Sequence, residues 1–231
     1  MKWKGPFGGG PASGVLGTMV ASHNKGGQYL RALAIPTNPR TSRQTAVRNI
    51  MASLMVVWSD TLTAAMREAW NLYASNVTVI DRLGDEIYIS GVNHFVRSNL
   101  PLIQSGGVRV DAGPTTFTLP ETDPEYAVTA SEATNLLSVS FDDTLAWLDT
   151  DLAAMIVYCG RPQSVGVTSF NGPWRIAGSI DGDSVTPPTT PTTIAAPFVL
   201  TEGQAVWTYA RIVLADGRIT NPFRGQAVVA A

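Results

Sequence analysis

The stretch Ala153-Ala154-Met155-Ile156-Val157-Tyr158 is an unbroken apolar run with turn-forming residues on either side. An apolar run of this length is typical of a strand in the core of a β-sandwich. Residues 126–130 and 135–141 show the apolar and polar alternation of further strands. The remaining predicted strands cover residues 174–180, 195–200, 205–214 and 226–229, with a hairpin signal at 215–218. Seven short strands separated by Pro and Gly loops predict a β-sandwich, with Trp174 and Tyr209 among its core aromatic residues.

The segment before these strands carries the pattern of helices. Thr41-Ser42-Arg43-Gln44 fits a capping box, and the apolar side chains after it recur at helical spacing on one face, namely Val47, Ile50, Leu54 and Val57. A second helix with Leu62, Met66, Trp70 and Tyr73 inward follows so closely that we expect an antiparallel helical hairpin. Two short strands are predicted near 77–80 and 86–89. A third helix begins at Ser90 and is ended by Pro101 and the Gly106-Gly107 pair.

The N-terminal segment predicts a hairpin without a core of its own. Residues 1–14 are rich in Gly, Pro, Lys and Ser, and two β-stretches follow at 17–22 and 28–35, with a glycine-containing turn at 23–27. An isolated two-stranded hairpin is marginally stable in water. We therefore expect this hairpin to lie on a surface, either that of the downstream domain or that of another subunit.

Together these patterns predict an α+β chain in four parts. The expected parts are a basic extended arm with a β-hairpin (1–36), a small helical subdomain with a short β-hairpin (37–106), a linker rich in Pro and Thr (107–124), and an immunoglobulin- or fibronectin-like β-sandwich (125–231). The resemblance of the last part to fibronectin type III domains rests on strand count and spacing. No single motif carries it.

Charge divides the chain sharply at Asp60. Residues 1–59 contain no Asp or Glu and carry seven Lys or Arg, whereas the remainder carries all 18 acids beside nine Arg, so the two parts have formal charges of +7 and −9. Such an asymmetry indicates a basic segment that meets an acidic surface. We predict the interface residues to be Lys25, Tyr29, Arg31, Arg40, Arg43 and Arg48.

The partner that these charges favour is a protein, either a copy of the chain or a neighbouring subunit. Nucleic acid is disfavoured, because the positive charges are spread out and no nucleic-acid-binding motif accompanies them. Only 15% of the residues are charged, against about 25% in an average globular chain. This shortage fits a surface largely covered by protein, and it equally fits a β-protein whose surface uses Thr, Ser and Gly.

No pattern of catalytic or metal-ligating residues is found in the sequence. The two histidines, His23 and His94, have no nucleophile or acid at a useful spacing, and no nucleotide-binding, hydrolase or zinc motif is present. The single cysteine, Cys159, lies in an apolar run and is predicted to be a small buried hydrophobe. The acid pairs Asp142/Asp143, Asp149/Asp151 and Asp181/Asp183 are predicted to lie in turns. We expect a non-enzymatic protein without cofactor or metal.

The sequence also predicts where the chain is made. No stretch reaches the roughly 18 apolar residues that a membrane-spanning helix needs. Residues 1–4 are basic, but Gly and Pro follow at the position where a signal peptide needs an apolar helix. We therefore expect a chain that is made in the cytoplasm and is not bound to a membrane.

Several stretches resemble a family of uncharacterised virion proteins encoded by tailed bacteriophages and prophages. The similar residues span most of the chain and include Gly26-Gly27-Gln28-Tyr29-Leu30-Arg31, Pro36-Thr37-Asn38-Pro39-Arg40-Thr41, Ala69-Trp70, Arg82-Leu83-Gly84-Asp85, Arg161-Pro162 and Ala215-Asp216-Gly217-Arg218. The resemblance implies a structural protein of the virion, made in the cytoplasm of the host bacterium and partnered by other virion proteins.

Three hypotheses follow for the role of the chain. The first is an accessory capsid protein that decorates or cements the head shell and binds it through the N-terminal arm. The second is a neck, head–tail joining or tail component that uses the same arm to lock into a ring. The third, from a different class, is a glycan- or surface-binding module that uses the loops of the sandwich.

Overall fold

The computed structural model describes residues 2–3, 13–24, 27–35, 37–80 and 85–231. These residues divide into two compact units, with the boundary between Ser42 and Arg43. The chain is α+β, with three α-helices and a C-terminal part built mostly of β-sheet. No helix in the described part of the chain combines the length and the apolar character needed to cross a membrane.

The first unit contains a four-stranded antiparallel sheet. Its strands are β1 (Lys2–Trp3), β2 (Gly14–Leu16), β3 (Met19–Asn24) and β4 (Gly27–Ala32), in the order β1-β4-β3-β2. Ala21 is the only hydrophobic side chain described as buried in this unit, whereas Ile35 is 84% exposed. The described part of this sheet therefore has very little core of its own.

The second unit begins with the helices. These are α1 (Ser42–Val56), which continues into a π-helical turn (Val57–Thr61), then α2 (Ala64–Asn76) and α3 (Gly91–Ser105). Two short strands, β5 (Val79–Ile80) and β6 (Glu86–Ile87), pair between α2 and α3. The apolar face predicted for α1 is confirmed at three of its four residues, because Leu54 is buried and Ile50 and Val57 pack against the same cluster as Trp70 and Phe95.

The helices differ from the prediction in two respects. The closely packed helix pair is α2 with α3, whereas α1 shares a hydrophobic cluster with α2 through Leu54 and Trp70 without the close backbone approach of a helical hairpin. Pro101 does not end α3 but lies inside it, whereas the end predicted at the Gly106-Gly107 pair is confirmed, because α3 runs to Ser105 and Gly106 has a left-handed φ of 93°. The turn after Pro101 persists because Pro101 and Leu102 are themselves buried, and such packing outweighs the local preference of proline against helix.

Eight strands make up the C-terminal part. They are β7 (Ala127–Ser131), β8 (Leu136–Ser140), β9 (Ala154–Gly160), β10 (Gln163–Ser164), β11 (Trp174–Asp181), β12 (Thr192–Ala195), β13 (Gln204–Val213) and β14 (Phe223–Ala230). The hydrogen-bonded order is β11-β9-β13-β14-β7-β8-β12, and β10 pairs with β13. All pairs are antiparallel except β14 with β7.

One strand lies earlier than the prediction of 195–200. The strand that pairs with β8 is β12, from Thr192 to Ala195, and residues 196–200 are not in a strand. Pro197 has no N–H to donate, so a sheet ladder does not continue through that stretch.

The largest hydrophobic core lies within the β-rich part. Strands from both ends of the hydrogen-bonded order contribute to it, with Leu137 and Val139 from β8 packing in one cluster with Met155 and Val157 from β9. Cys159 is in the same cluster and fully buried as a free thiol, as the sequence predicts.

The helices and the β-rich part belong to the same compact unit. Leu102 of α3 packs with Ile156 and Val213 on the outer face of β9 and β13. The connecting residues are hydrogen-bonded to the helices: Trp70 Nε1 donates to the Asp111 carbonyl at 3.0 Å, and Asn99 Oδ1 accepts from the Val110 backbone N–H at 2.7 Å. Part of the segment predicted as a linker is thus anchored to α2 and α3.

Candidate functional site

The predicted interface residues are mostly exposed, and they occupy three different elements. Tyr29 and Arg31 are two residues apart on β4 and therefore share one face of that strand. Arg40 lies between β4 and α1, and Arg43 and Arg48 lie on α1. All four arginines are exposed, while Tyr29 is half-buried. Lys25 lies outside the described residues.

Helix α1 presents a second exposed feature beside these charges. Leu54 is the one buried residue of the helix. Met51, Met55 and Val56 are 39%, 48% and 56% exposed. Arg48, Met51 and Met55 recur at i, i+3 and i+7, so they lie along one side of the helix. This side combines a cation with flexible apolar side chains, which is typical of a surface that adapts to a protein partner.

A third feature, which the sequence did not predict, lies on the outer face of β9 and β13. Tyr158 and Tyr209 are directly opposed in the register of these strands. Their rings stack with centroids 4.3 Å apart and planes 8° from parallel. Trp174 meets Tyr209 edge-on, at 4.9 Å between centroids. The prediction that Trp174 and Tyr209 are core residues is wrong: both are half-buried on the side of the sheet opposite the main core.

Two arginines complete this surface, which we call the tyrosine–arginine face and define as Arg97, Tyr158, Tyr209 and Arg211. Arg211 follows Tyr209 by two residues on β13 and so points to the same side. Arg97 lies on α3, which packs against β9 and β11. Arg97 Nη1 and Arg211 Nε are both shielded from solvent, and neither donates a hydrogen bond to any described residue.

Burial and mutual repulsion set the electrostatics of this face. The pKa of Arg97 is lowered to about 10, mainly by burial and secondly by the charge of Arg211. Burial also raises the pKa of Tyr158 and of Tyr209 above the usual tyrosine value. At neutral pH Arg97 therefore keeps its positive charge, and the two tyrosine hydroxyls are neutral.

His94 lies one helical turn before Arg97 and is 1% exposed. Its ring packs edge-on against Tyr73, at 5.0 Å between centroids. Burial, and after it the charge of Arg97, lower the pKa of His94 to about 4. The imidazole is therefore neutral at pH 7, and the described residues leave its Nε2 without a hydrogen bond.

Where the structure describes their contacts, the acid pairs found in the sequence accept hydrogen bonds from nearby backbone amides. Asp142 accepts hydrogen bonds from the Thr144 amide and hydroxyl, and Asp183 accepts from the amides of Val185 and Thr186. These bonds lower the pKa of both carboxyls. Among the described residues, no group of three or more His, Cys, Asp or Glu side chains is placed to hold a metal ion.

An arginine on the neighbouring strand β11 has a different environment. Arg175 lines an open cleft of about 490 Å³ together with Arg161, Phe198 and Gln204. Its guanidinium lies 4.3 Å from the centre of the Phe198 ring, which gives this cation a favourable partner within the chain.

Comparison with known proteins gives only distant likeness to solved structures. No family model matches the chain, and no curated protein matches it. Among solved structures, a Fn3-like protein from Clostridium thermocellum aligns with 49% of this chain and 97% of its own length, at 10% sequence identity and a TM-score of 0.33. A likeness of this degree says nothing about function.

Proposed function

We propose that the chain is a non-enzymatic structural protein of a tailed-bacteriophage virion, built into the particle through its basic N-terminal segment. The accessory capsid protein, which decorates or cements the head shell, is the role that we favour. The observation that carries the proposal is the charge division, with seven Lys or Arg and no acid before Asp60. A segment of one sign is suited to an acidic surface on another subunit.

The described part of the first unit supports this role. Within this unit a single described hydrophobic side chain, Ala21, is buried, while Val15 of β2 and Leu33 and Ile35, which follow β4, are exposed at 63%, 42% and 84%. Burial of such side chains against a partner contributes about 25 cal/mol per Å² of apolar surface. We infer that this unit acts as an arm that gains stability when it lies on a neighbouring subunit.

The β-rich part is, in this proposal, a two-layered sandwich that projects from the particle. The common core of β8 with β9 and β13 supports two facing layers, because Leu137, Met155 and Ile212 all belong to it. Gly178 of β11 also approaches Ile194 of β12, since a Cβ at Gly178 would lie 2.8 Å from Ile194 Cγ2. Many copies side by side on a shell would strengthen each weak arm contact by raising its effective concentration.

The arm is tested on purified particles of the virus that encodes the chain. We expect a chain lacking residues 1–35 to fold and to be missing from the particles, because the arm provides the docking contacts. Incorporation is measured by quantitative mass spectrometry. A matched variant keeps the full length and replaces Arg31, Arg40 and Arg43 with Ser, which removes charge alone and should reduce incorporation in part.

The control for both variants is circular dichroism with thermal unfolding, which shows whether the second unit is folded. Incorporation of the truncated chain at the level of the full chain would overturn the arm, and absence of the full chain from purified particles would overturn the virion proposal. Copy number separates the two virion roles: hundreds of copies per particle indicate the head shell, and about a dozen indicate the neck.

A further inference from the structure

The open cleft beside Arg175 concentrates positive charge in an acidic part of the chain. Its volume is about 490 Å³, and two guanidinium groups line it, those of Arg161 and Arg175. No Asp or Glu is among the described residues of its wall, although residues 60–231 carry all 18 acids of the chain beside nine Arg. An anionic group in this cleft would meet two cations and no lining carboxylate.

Both guanidinium groups are open to solvent. Arg161 and Arg175 are exposed residues, and Arg161 directly follows Gly160, the last residue of β9. Arg175 is paired in register with Cys159 of β9, and directly opposed residues of paired strands project on the same face of a sheet. Since Cys159 belongs to the main core, Arg175 lies on the core-facing side of the sheet and still borders the cleft.

Arg175 is held in position by its own chain. Its guanidinium lies 4.3 Å from the centre of the Phe198 ring, and its Nη1 donates to the Pro197 carbonyl at 3.5 Å. A guanidinium group has several N–H donors, so this single bond leaves most of them for a ligand. A side chain that is already fixed loses less conformational freedom when a ligand binds.

We propose that this cleft binds an acidic segment of a partner polypeptide, with Arg161 and Arg175 donating hydrogen bonds to its carboxylates. The planar guanidinium group offers parallel N–H donors, which match the two oxygens of a carboxylate. Pro162, Pro173 and Val199 line the same cleft and would contact apolar residues next to the acids. The volume is that of a site for a ligand much larger than a single small anion. This inference stands on the β-rich part and does not depend on the N-terminal arm or on a virion role.

The lining favours a polypeptide over an acidic sugar. A sugar ring packs on the open face of an aromatic side chain, but Phe198, the one aromatic residue described in the lining, is covered by Arg175 and packs against the main core. Sugar hydroxyls need hydrogen-bond acceptors as well as donors. Gln204 provides the one side-chain acceptor among the described lining residues.

The test uses the isotope-labelled full chain and a blocked Glu-Glu-Leu-Leu-Glu-Glu peptide at low salt, with Gln-Gln-Leu-Leu-Gln-Gln as the uncharged control. Binding is followed by NMR through the amide chemical shifts. We expect the acidic peptide to bind with millimolar affinity and to shift the signals of the cleft, the side-chain amide of Gln204 among them. Arg161→Gln and Arg175→Gln should each weaken binding about tenfold or more, because charge-assisted hydrogen bonds are lost.

Arg224→Gln is the matched control, since it removes an exposed arginine of β14 that does not line the cleft. It should bind the acidic peptide like the unmodified chain. Arg161→Gln leaves the contact of Arg175 with Phe198 intact, so it tests the cleft even where Arg175→Gln lowers stability. Thermal unfolding of each variant identifies such a loss.

Several results would overturn the inference. These are the absence of shifts at millimolar acidic peptide, equal shifts with the uncharged peptide, and unchanged affinity in Arg161→Gln or Arg175→Gln. An equal loss of affinity in Arg224→Gln would show a general attraction of charge and would overturn it as well. Tighter binding of an oligogalacturonate than of the acidic peptide would overturn the assignment to a polypeptide.

Discussion

Replacing Trp70 with alanine is expected to lower the free energy of unfolding by about 3–5 kcal/mol. The ring is fully buried on α2 and meets Phe95 and Tyr73 edge-on, at 5.7 and 6.2 Å between centroids. It also reaches the β13–β14 hairpin, where a Cβ on Gly217 would lie 2.8 Å from Trp70 Cη2. Its loss would leave a cavity where helices, connecting segment and β-rich part meet, and would deprive the Asp111 carbonyl of its donor.

The measurement is urea unfolding of the full chain followed by far-ultraviolet circular dichroism. Trp70→Phe is the matched variant, since it keeps an aromatic ring and removes the hydrogen bond to Asp111, so we expect a smaller loss of about 1–3 kcal/mol. A loss below about 1 kcal/mol for Trp70→Ala would contradict the role given to this ring. Such a loss would be a minor part of the total free energy of unfolding, which is about 5–15 kcal/mol for typical domains.

Lowering the pH from 7 to 4 is expected to reduce stability through His94 by about 3 kcal/mol. The pKa of His94 is lowered to about 4 in the folded chain, first by burial and second by Arg97, against 6.5 for an ordinary histidine. At pH values between these two pKa values, His94 is mostly protonated in the unfolded chain and mostly neutral in the folded chain. Stability is therefore fully present above pH 6.5 and decreases as the pH falls toward 4.

Comparison with His94→Phe isolates this effect, since phenylalanine fills a similar volume and does not titrate. Other titrating groups, such as the buried Asp123, whose carboxyl pKa is raised mainly by burial, are common to both chains, so the difference between the two stability profiles reports His94. We expect that difference to change by about 3 kcal/mol between pH 7 and pH 4, as measured by urea unfolding at several pH values. Parallel profiles across this range would show that His94 is not buried as a neutral group.

The elements that the sequence predicted best are those whose periodicity matches their environment. Ile50, Leu54 and Trp70 recur at helical spacing because they share one core, and the run from Ala153 is apolar because both of its faces are covered. Local pattern and burial agree at these positions, so the sequence was enough to predict three helices and a β-rich C-terminal part.

The errors lie where tertiary packing opposes the local signal. Pro101 stays inside α3 because its surroundings bury it, and β12 begins earlier because Pro197 interrupts the apolar stretch that suggested a strand. Trp174 and Tyr209 fit the strand alternation whichever face of the sheet they lie on. The alternation alone does not indicate which face belongs to the main core and which face a helix covers.

The tyrosine–arginine face lay beyond the reach of sequence reasoning for a different reason. Arg97 and Arg211 are 114 positions apart and belong to a helix and a strand. Their relationship exists only through the packing of α3 on the sheet. The charge division at Asp60, in contrast, is a property of the sequence itself, which is why the predicted interface was placed in the N-terminal segment.

Opening of the β-rich core can be measured by chemical labelling of the fully buried Cys159. It is the only cysteine of the chain, and burial raises its thiol pKa to about 12. The thiolate is the form that attacks alkylating reagents, so the folded chain is protected both by enclosure of Cys159 and by the scarcity of its thiolate. A modified molecule therefore shows that its core has opened, and the labelling rate reports the population of the opened form when reclosing is faster than labelling, in free chains and in assembled ones alike.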